Sequence, residues 1–116
     1  MLVVSAIMKS RIMYIEHKAG KLTGPAVIGL VTFSRTGKML DYKGQKFQSL
    51  AGRGFKLNYF DVETHEDYWI SGCRCDGADR LYDGGPPVAI DEDIREEYWT
   101  TIRKKPENKD RKFSNK

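Results

Sequence analysis

The fold is decided by AVIGLVTFSRTGKMLDYKGQKFQSL, residues 26–50, because this stretch predicts three strands in succession. Its first part, Ala26–Phe33, is apolar on both faces, which is typical of a central strand. Gly29 inside that strand indicates a bend or a close approach by another chain segment. The glycine of SRTGK predicts a hairpin, and the pair Lys43 and Gly44 predicts a turn between two further short strands. We therefore expect the chain to form an antiparallel meander.

Strand signals on either side extend this meander. RIMYIEHK, residues 11–18, is rich in Ile, Met and Tyr and predicts a strand buried on both sides. Side chains alternate along a strand, so one face carries Ile12 and Tyr14. The other face carries Met13 and Ile15. Two more strands are predicted at NYFDV (residues 58–62) and DYWISG (residues 67–72), with a turn at residues 63–66 between them.

DEDIREEYWTTIRKKP, residues 91–106, predicts the one helix of the chain. Asp91 is a candidate N-cap, acidic residues fill the first turn, basic residues fill the last turn, and a proline follows. An apolar stripe at helical spacing would pack this helix on the sheet. The stripe consists of Ile94, Tyr98 and Ile102, with Trp99 alongside.

Together these elements predict an α+β, mainly β fold class. We expect a meandering antiparallel sheet of about six short strands, curled or closed as a small SH3-like barrel, with one C-terminal amphipathic helix. The 116 residues allow one core, with an N-terminal extension or extra strand at 1–10, a single globular domain at 11–105 and a basic flexible tail at 106–116. No apolar run approaches the ~20 residues of a membrane span, and the first ten residues do not form a convincing signal peptide. We therefore expect a cytoplasmic protein without a membrane partner.

Charge is strongly segregated along the chain, although the total is only +4. Residues 35–60 carry a net charge of +5, residues 61–102 carry −9, and residues 103–116 carry +5. Such blocks predict two oppositely charged binding faces. The candidate basic and aromatic face comprises Arg35, Lys38, Lys46, Arg53, Phe55, Lys56 and Tyr59. The candidate acidic face comprises Asp79, Asp83, Glu92, Asp93, Glu96 and Glu97.

Cys73 and Cys75, separated by one residue, are the only cysteines and the strongest hint of chemistry in the chain. A structural zinc site needs four ligands, and only His17 and His65 could complete the set. A disulfide between the two cysteines would close a strained ring and would not persist in a reducing cytoplasm. A cysteine-dependent enzyme is a third functional hypothesis, with His65 as the only base close in sequence. We expect no catalytic residues, no metal and no cofactor.

Three strings carry a resemblance to a known family: RIMYIE (residues 11–16), GRGFKLNYFDVETHEDYWISGCRCDGADRLY (52–82) and IDEDIREEYWTTIR (90–103). Over most of its length the chain resembles a family of small uncharacterised bacterial proteins that often carry the label 1-deoxy-D-xylulose-5-phosphate synthase. The family has no assigned catalytic residues, so the resemblance implies none here, and His65 and Cys75 depart from the family pattern. A thiamine diphosphate enzyme needs a long acidic cofactor motif and more volume than 116 residues of meandering strands provide. We therefore do not expect synthase activity.

Two binding functions agree with these features. The first is a non-catalytic interaction module whose acidic and basic faces meet another protein, or pair between two copies in a homodimer. The alternative is a small barrel that binds single-stranded RNA or DNA, with bases stacked on aromatic side chains of residues 35–59 beside a positive groove. Without its basic tail the chain has a net charge of −1, so a protein partner is the first expectation.

Overall fold

The structure is a computed structural model that describes residues 9–18, 23–50, 58–80 and 85–114. Within these ranges seven strands form one sheet, in which the first six close into an antiparallel barrel. The mainly β fold class with a C-terminal helix is therefore confirmed. In chain order the strands are β1 (Lys9–His17), β2 (Ala26–Phe33), β3 (Met39–Tyr42), β4 (Gln45–Ser49), β5 (Tyr59–Asp61), β6 (Asp67–Gly72) and β7 (Val88–Ile90).

The barrel closes through β1, which is paired on both edges. β1 runs antiparallel to β2 along almost its whole length and antiparallel to β6 from residue 13 to residue 17. Ile12 and Tyr14 are buried on the outer face of the barrel, whereas Met13 and Ile15 are buried in its interior. The predicted two-sided burial of this strand is confirmed, because the barrel interior lies on one side and the C-terminal helix on the other.

One edge of β2 pairs with two different strands, and Gly29 lies between the two pairings; we call this the fork in β2. Before Gly29, Ala26 to Ile28 pair in parallel with β7, and after it β2 pairs with β3 only at Thr32 and Phe33. A Cβ at Gly29 would lie 2.6 Å from the ring of Tyr42 and 2.5 Å from the carboxylate of Asp91. The predicted close approach at this glycine is confirmed. β7 was not predicted, because three residues are too few for a recognisable alternation of polar and apolar side chains.

The apolar side chains form two cores separated by the sheet. Phe47 lies in the barrel interior and is fully buried, and Tyr68 packs edge-on against it. The interior core comprises Met13, Ile15, Val31, Leu40, Phe47 and Ile70. The outer core, under the C-terminal helix, comprises Ile12, Tyr14, Ile28, Val88, Ile90, Ile94, Tyr98 and Trp99.

The C-terminal helix is one short segment built from a 3-10 turn (Glu92–Ile94), an α turn (Arg95–Glu97) and a π turn (Tyr98–Ile102). Its buried side chains are those of the predicted apolar stripe, because they face the outer core. The predicted N-cap is wrong in one respect. Asp91 does precede the helix, but its side chain makes no capping hydrogen bond and instead accepts one from the Tyr42 hydroxyl at 2.6 Å.

The chain after the helix is packed against β7. The Ile90 amide donates to the Lys112 carbonyl at 2.8 Å, and the Ser114 amide donates to the Val88 carbonyl at 2.9 Å. The Trp99 indole also donates to the Arg111 carbonyl at 3.1 Å. Residues 111–114, which lie within the tail predicted at 106–116, thus supply hydrogen-bond partners to backbone groups at the outer edge of β7.

A buried ionic cluster fixes the end of β1. The carboxylate of Glu16, which is fully buried, accepts hydrogen bonds from the Tyr14 hydroxyl at 2.7 Å and the Gly24 amide at 2.9 Å. The Lys18 ammonium and the Arg80 guanidinium lie 3.2 and 3.0 Å from the same carboxylate. Arg80 thereby ties the segment after β6 to the loop between β1 and β2.

Two of the predicted segments lie wholly or partly outside the described residues. Residues 1–8 of the predicted N-terminal extension or extra strand lie outside the described ranges, and Lys9 and Ser10 are the first residues of β1. The loop predicted at residues 51–55 also lies outside them. Within the described residues, no helix has both the length and the apolar character needed to cross a membrane.

Candidate functional site: the two ends of the barrel

The antiparallel meander sends alternate hairpin connections to opposite ends of the barrel, and this alternation separates the charges. The turns at residues 43–44 and 62–66 lie at one end, with the start of β2, and the turn at residues 34–38 lies at the other, with the start of β1. We call the first the acidic end and define it by Asp61, Glu63, Glu66, Asp67 and Asp91. We call the second the basic end and define it by Lys9, Arg11, Arg35 and Lys38.

The basic end surrounds an open cavity of about 490 Å³. Lys9, Arg11 and Arg35 line this cavity, and all three side chains are exposed. The ring of Phe33 forms part of the wall. Among the described residues, none of these three cations forms an ion pair with a carboxylate. The cavity can therefore receive an anionic group without first breaking an internal ion pair.

The predicted basic and aromatic face is only partly gathered at this end. Arg35 and Lys38 are exposed there, in the turn between β2 and β3. Lys46 lies on the outer face of β4 and pairs with Asp41, and this contact lowers the pKa of the Asp41 carboxyl. Tyr59 packs against the interior core, and burial raises its pKa. Arg53, Phe55 and Lys56 lie outside the described residues.

Sequence reasoning missed Lys9 and Arg11 as members of a binding face. Arg11 begins a segment whose apolar residues predict a strand buried on both sides, and that pattern does not distinguish it as a binding residue. Its side chain has the same parity as Met13 and Ile15, so it points toward the barrel interior. The signal that could have identified Arg11 is a basic residue near the start of the strand that alternates in step with the inward-facing Met13 and Ile15.

The acidic end holds a second cavity, of about 300 Å³, between the start of β2 and the turn that joins β3 to β4. Its polar wall consists of Tyr42, Gln45, Tyr68 and His17. Its apolar wall consists of Ile15, Pro25, Ala26 and Val27. At this end β2 pairs with β7, and the edge of β3 that faces β2 is unpaired at Tyr42, next to the cavity.

Gln45 connects the carboxylate of Asp61 to the cavity wall. Its side-chain amide donates to Asp61 Oδ2 at 2.7 Å and to the Tyr68 hydroxyl at 3.1 Å. The other oxygen of Asp61 accepts from the backbone amides of Glu63 at 2.8 Å and Thr64 at 3.1 Å. The hydrogen bond from Gln45, with those from the turn, lowers the pKa of Asp61. Asp61 is thus an ionised acceptor that holds the turn in place.

Tyr42 and Asp91 form a second polar contact at this end. Burial, and then the hydrogen bond to the Asp91 carboxylate, raise the pKa of Tyr42 well above its ordinary value. The Lys43 ammonium lies 3.1 Å from Asp91 and is largely exposed. On the opposite wall, His17 Nε2 lies 3.0 Å from Glu66 Oε1, close enough for an ion pair when the imidazole is protonated, but it makes no well-aligned hydrogen bond.

The predicted acidic face divides into three groups. Glu92, Asp93, Glu96 and Glu97 are exposed on the C-terminal helix. Asp79 is buried and accepts a hydrogen bond from the Arg74 amide at 2.6 Å, and burial raises its pKa. It therefore braces the segment after β6 and is not available as a surface charge. Asp83 lies outside the described residues.

The two cysteines are free and lie in different environments. Cys75 is exposed, whereas Cys73 is half-buried under the helix with its sulfur 3.9 Å from the Ile12 carbonyl. Burial raises the pKa of the Cys73 thiol to about 12, which suppresses the reactive thiolate. His65 stacks on Phe60 instead, and His17 faces Tyr68. In the part of the chain that the structure describes, no group of His, Cys, Asp and Glu side chains could hold a metal ion.

Comparison with known proteins gives no family: the chain matches no protein-family model, no curated protein and no solved structure.

Proposed function

We propose that this protein is a non-catalytic binding module that engages a protein partner through its oppositely charged ends. The observation that carries the proposal is the basic end, where Lys9, Arg11 and Arg35 surround one cavity without carboxylate partners among the described residues. Likeness to small SH3-type interaction barrels, and action in the cytoplasm, belong to this proposal.

The partner segment at the basic end would be acidic. The guanidinium groups of Arg11 and Arg35 are exposed and can bind carboxylates in bidentate fashion. Phe33 offers an apolar surface to the rest of the bound segment. Opposite charge at the two ends would also orient an approaching partner, because complementary fields steer association and disfavour the reversed arrangement.

A fluorescently labelled octaglutamate peptide tests the basic end. We expect measurable binding at low salt, and a loss of about tenfold or more in affinity for the Arg11→Ala, Arg35→Ala double variant. The matched control is Lys109→Ala, Lys112→Ala, which removes two exposed cations elsewhere in the chain. Equal losses in both double variants, or no binding of the peptide at low salt, would rule out a specific acidic-segment site.

Single-stranded RNA or DNA is the second candidate partner. It is favoured by Phe33, which lies in the same cavity wall as three cations and could stack on a base. The acidic end lies at the far side of the barrel, so its carboxylates do not face a phosphate bound at the basic end. A single-stranded thymidine oligomer should then bind with an affinity that falls steeply with salt and drops in Phe33→Ala. Absence of binding at low salt would remove this candidate.

A further inference from the structure

We propose that the acidic end contains a socket for a cationic side chain, a lysine or arginine of the partner protein. The socket is the cavity lined by Tyr42, Gln45, Tyr68 and His17. This inference rests on the proposed binding function and names the partner chemistry at the end opposite the basic cavity. It adds a site that is distinct from the acidic face predicted on the helix and before it.

The socket is formed by the fork in β2. Ala26 and Val27 pair with β7 and not with β3, and about 300 Å³ of space lies between them and Tyr42, Gln45 and Tyr68. Ile15 and Val27 give this space an apolar floor. A floor of this kind suits the methylene stem of a long basic side chain, whose charged head would stay near the rim.

Carboxylates stand behind the aromatic walls. Asp91 accepts a hydrogen bond from the Tyr42 hydroxyl at 2.6 Å, and Asp61 is linked to Tyr68 through Gln45. Glu66 lies at the rim, 3.0 Å from the imidazole of His17. Lys43 compensates Asp91, but no lysine or arginine among the described residues forms an ion pair with Asp61 or Glu66. The Lys43 ammonium also lies 5.7 Å from the centroid of the Tyr42 ring, so Glu66 at the rim is the carboxylate with which a bound cation would pair.

The side chains that line the socket also favour a cationic ligand. Tyrosine rings attract an ammonium or guanidinium group through their electron-rich faces. Glu66 Oε1 lies 3.0 Å from His17 Nε2 without an aligned hydrogen bond between them, so the Glu66 carboxylate remains available to a cationic ligand. An anionic ligand would be repelled by Asp61 and Glu66. An apolar ligand would cover them without compensating their charge.

A labelled octalysine peptide tests the socket in the full-length protein. We expect Glu66→Gln to weaken binding by about tenfold, because it removes the rim carboxylate without disturbing the interior core. Glu97→Gln is the matched control, since it removes one exposed carboxylate from the helix, and it should change the affinity less than about twofold. Tyr68→Leu should weaken octalysine binding, whereas Tyr68→Phe, which keeps the aromatic ring, should bind octalysine as the unmodified protein does.

Equal losses in Glu66→Gln and Glu97→Gln would overturn the socket, because the whole acidic surface would then attract the peptide without a specific site. Chemical-shift changes on octalysine binding should centre on Tyr42, Gln45 and Tyr68, and changes confined to the helix would also overturn it. Self-association that Glu66→Gln abolishes would assign the socket to a second copy instead of a partner protein.

If octaglutamate still binds the basic end while octalysine does not bind, the socket proposal is wrong and the proposed function survives. Failure of both peptides would refute both.

Discussion

The two ends of the barrel use charge in opposite ways. At the acidic end Asp61 and Asp91 are hydrogen-bonded to side chains or backbone amides that belong to the fold. At the basic end Lys9, Arg11 and Arg35 line a cavity and, within the described residues, have no carboxylate partner. Charges that are satisfied internally stabilise the structure, whereas unpaired surface charges contribute little to stability and remain available for binding.

The largest expected effect comes from the buried ionic cluster near the acidic end. Glu16→Ala would leave Lys18 and Arg80 without their shared carboxylate, and we expect a loss of about 3–5 kcal/mol in the free energy of unfolding. Urea denaturation followed by circular dichroism measures this loss. Glu97→Ala, an exposed carboxylate on the helix, is the control and should change stability by less than about 0.5 kcal/mol. A comparable loss in both variants would break the distinction between internal and available charge.

The second effect concerns the thiol nearest the basic end. Burial, and then the negative charge of Asp79, raise the pKa of Cys73 to about 12 and outweigh the positive charges of Arg11 and Arg103, which lower it. We expect Cys75 to react with a maleimide at pH 8 at least about 100-fold faster than Cys73 in the folded protein. Single variants Cys73→Ser and Cys75→Ser distinguish the two rates, and urea should equalise them. Fast labelling of folded Cys73 would revive a cysteine-dependent activity at this end.

A third prediction concerns acid stability. The folded-state pKa of Asp61 lies below its unfolded value, so its ionised form stabilises the fold fully above the unfolded pKa. That contribution is lost as the pH falls through the folded-state pKa. We expect Asp61→Asn to cost about 1–2 kcal/mol at pH 7 and progressively less below pH ~4. Urea midpoints across this range test it, with exposed Glu63→Gln as the control from the same turn. A cost for Asp61→Asn that does not change with pH would contradict the assignment.

The smallest expected effect on stability belongs to the basic end. Arg11 is exposed and unpaired among the described residues, so Arg11→Ala should change the free energy of unfolding by less than about 0.5 kcal/mol. Arg80→Ala is the instructive contrast, because Arg80 is largely buried, contacts Glu16 and donates to the Gly24 carbonyl at 2.9 Å. Thermal denaturation of both variants sharpens the comparison. A large loss for Arg11→Ala would show that the basic end is structural.

Much of the fold could be predicted because its signals are local. The turn at Lys43 and Gly44 needs two positive φ angles, and the structure has 51° and 89° there. The two-sided burial of β1 and the apolar stripe of the helix follow from simple periodicity. β7 and the docked segment 111–114 could not be predicted, because each is stabilised by a pairing partner distant in sequence.

The candidate sites were predictable only in part. Arg35 and Lys38 were identified from charge and lie at the basic end, but Lys9 and Arg11 were missed. Asp79 was predicted on a surface, but it is buried, and its carboxylate accepts a hydrogen bond from the Arg74 amide. The socket at Tyr42, Gln45 and Tyr68 had no sequence signal, since its walls come from five different strands.

The sequence by itself determined the succession of the first six strands, the hairpin turns, the helix stripe and the separation of charge along the chain. These depend on side-chain alternation, glycine at turns and apolar spacing, which act over a few residues. Only the tertiary structure decided which charges meet. Antiparallel strands send alternate connections to opposite ends, so Lys9 and Arg35 become neighbours across 25 intervening positions while Asp61 and Asp91 lie at the far end. The fork of β2 at Gly29 then opened the socket, because one strand edge had to serve both β3 and β7.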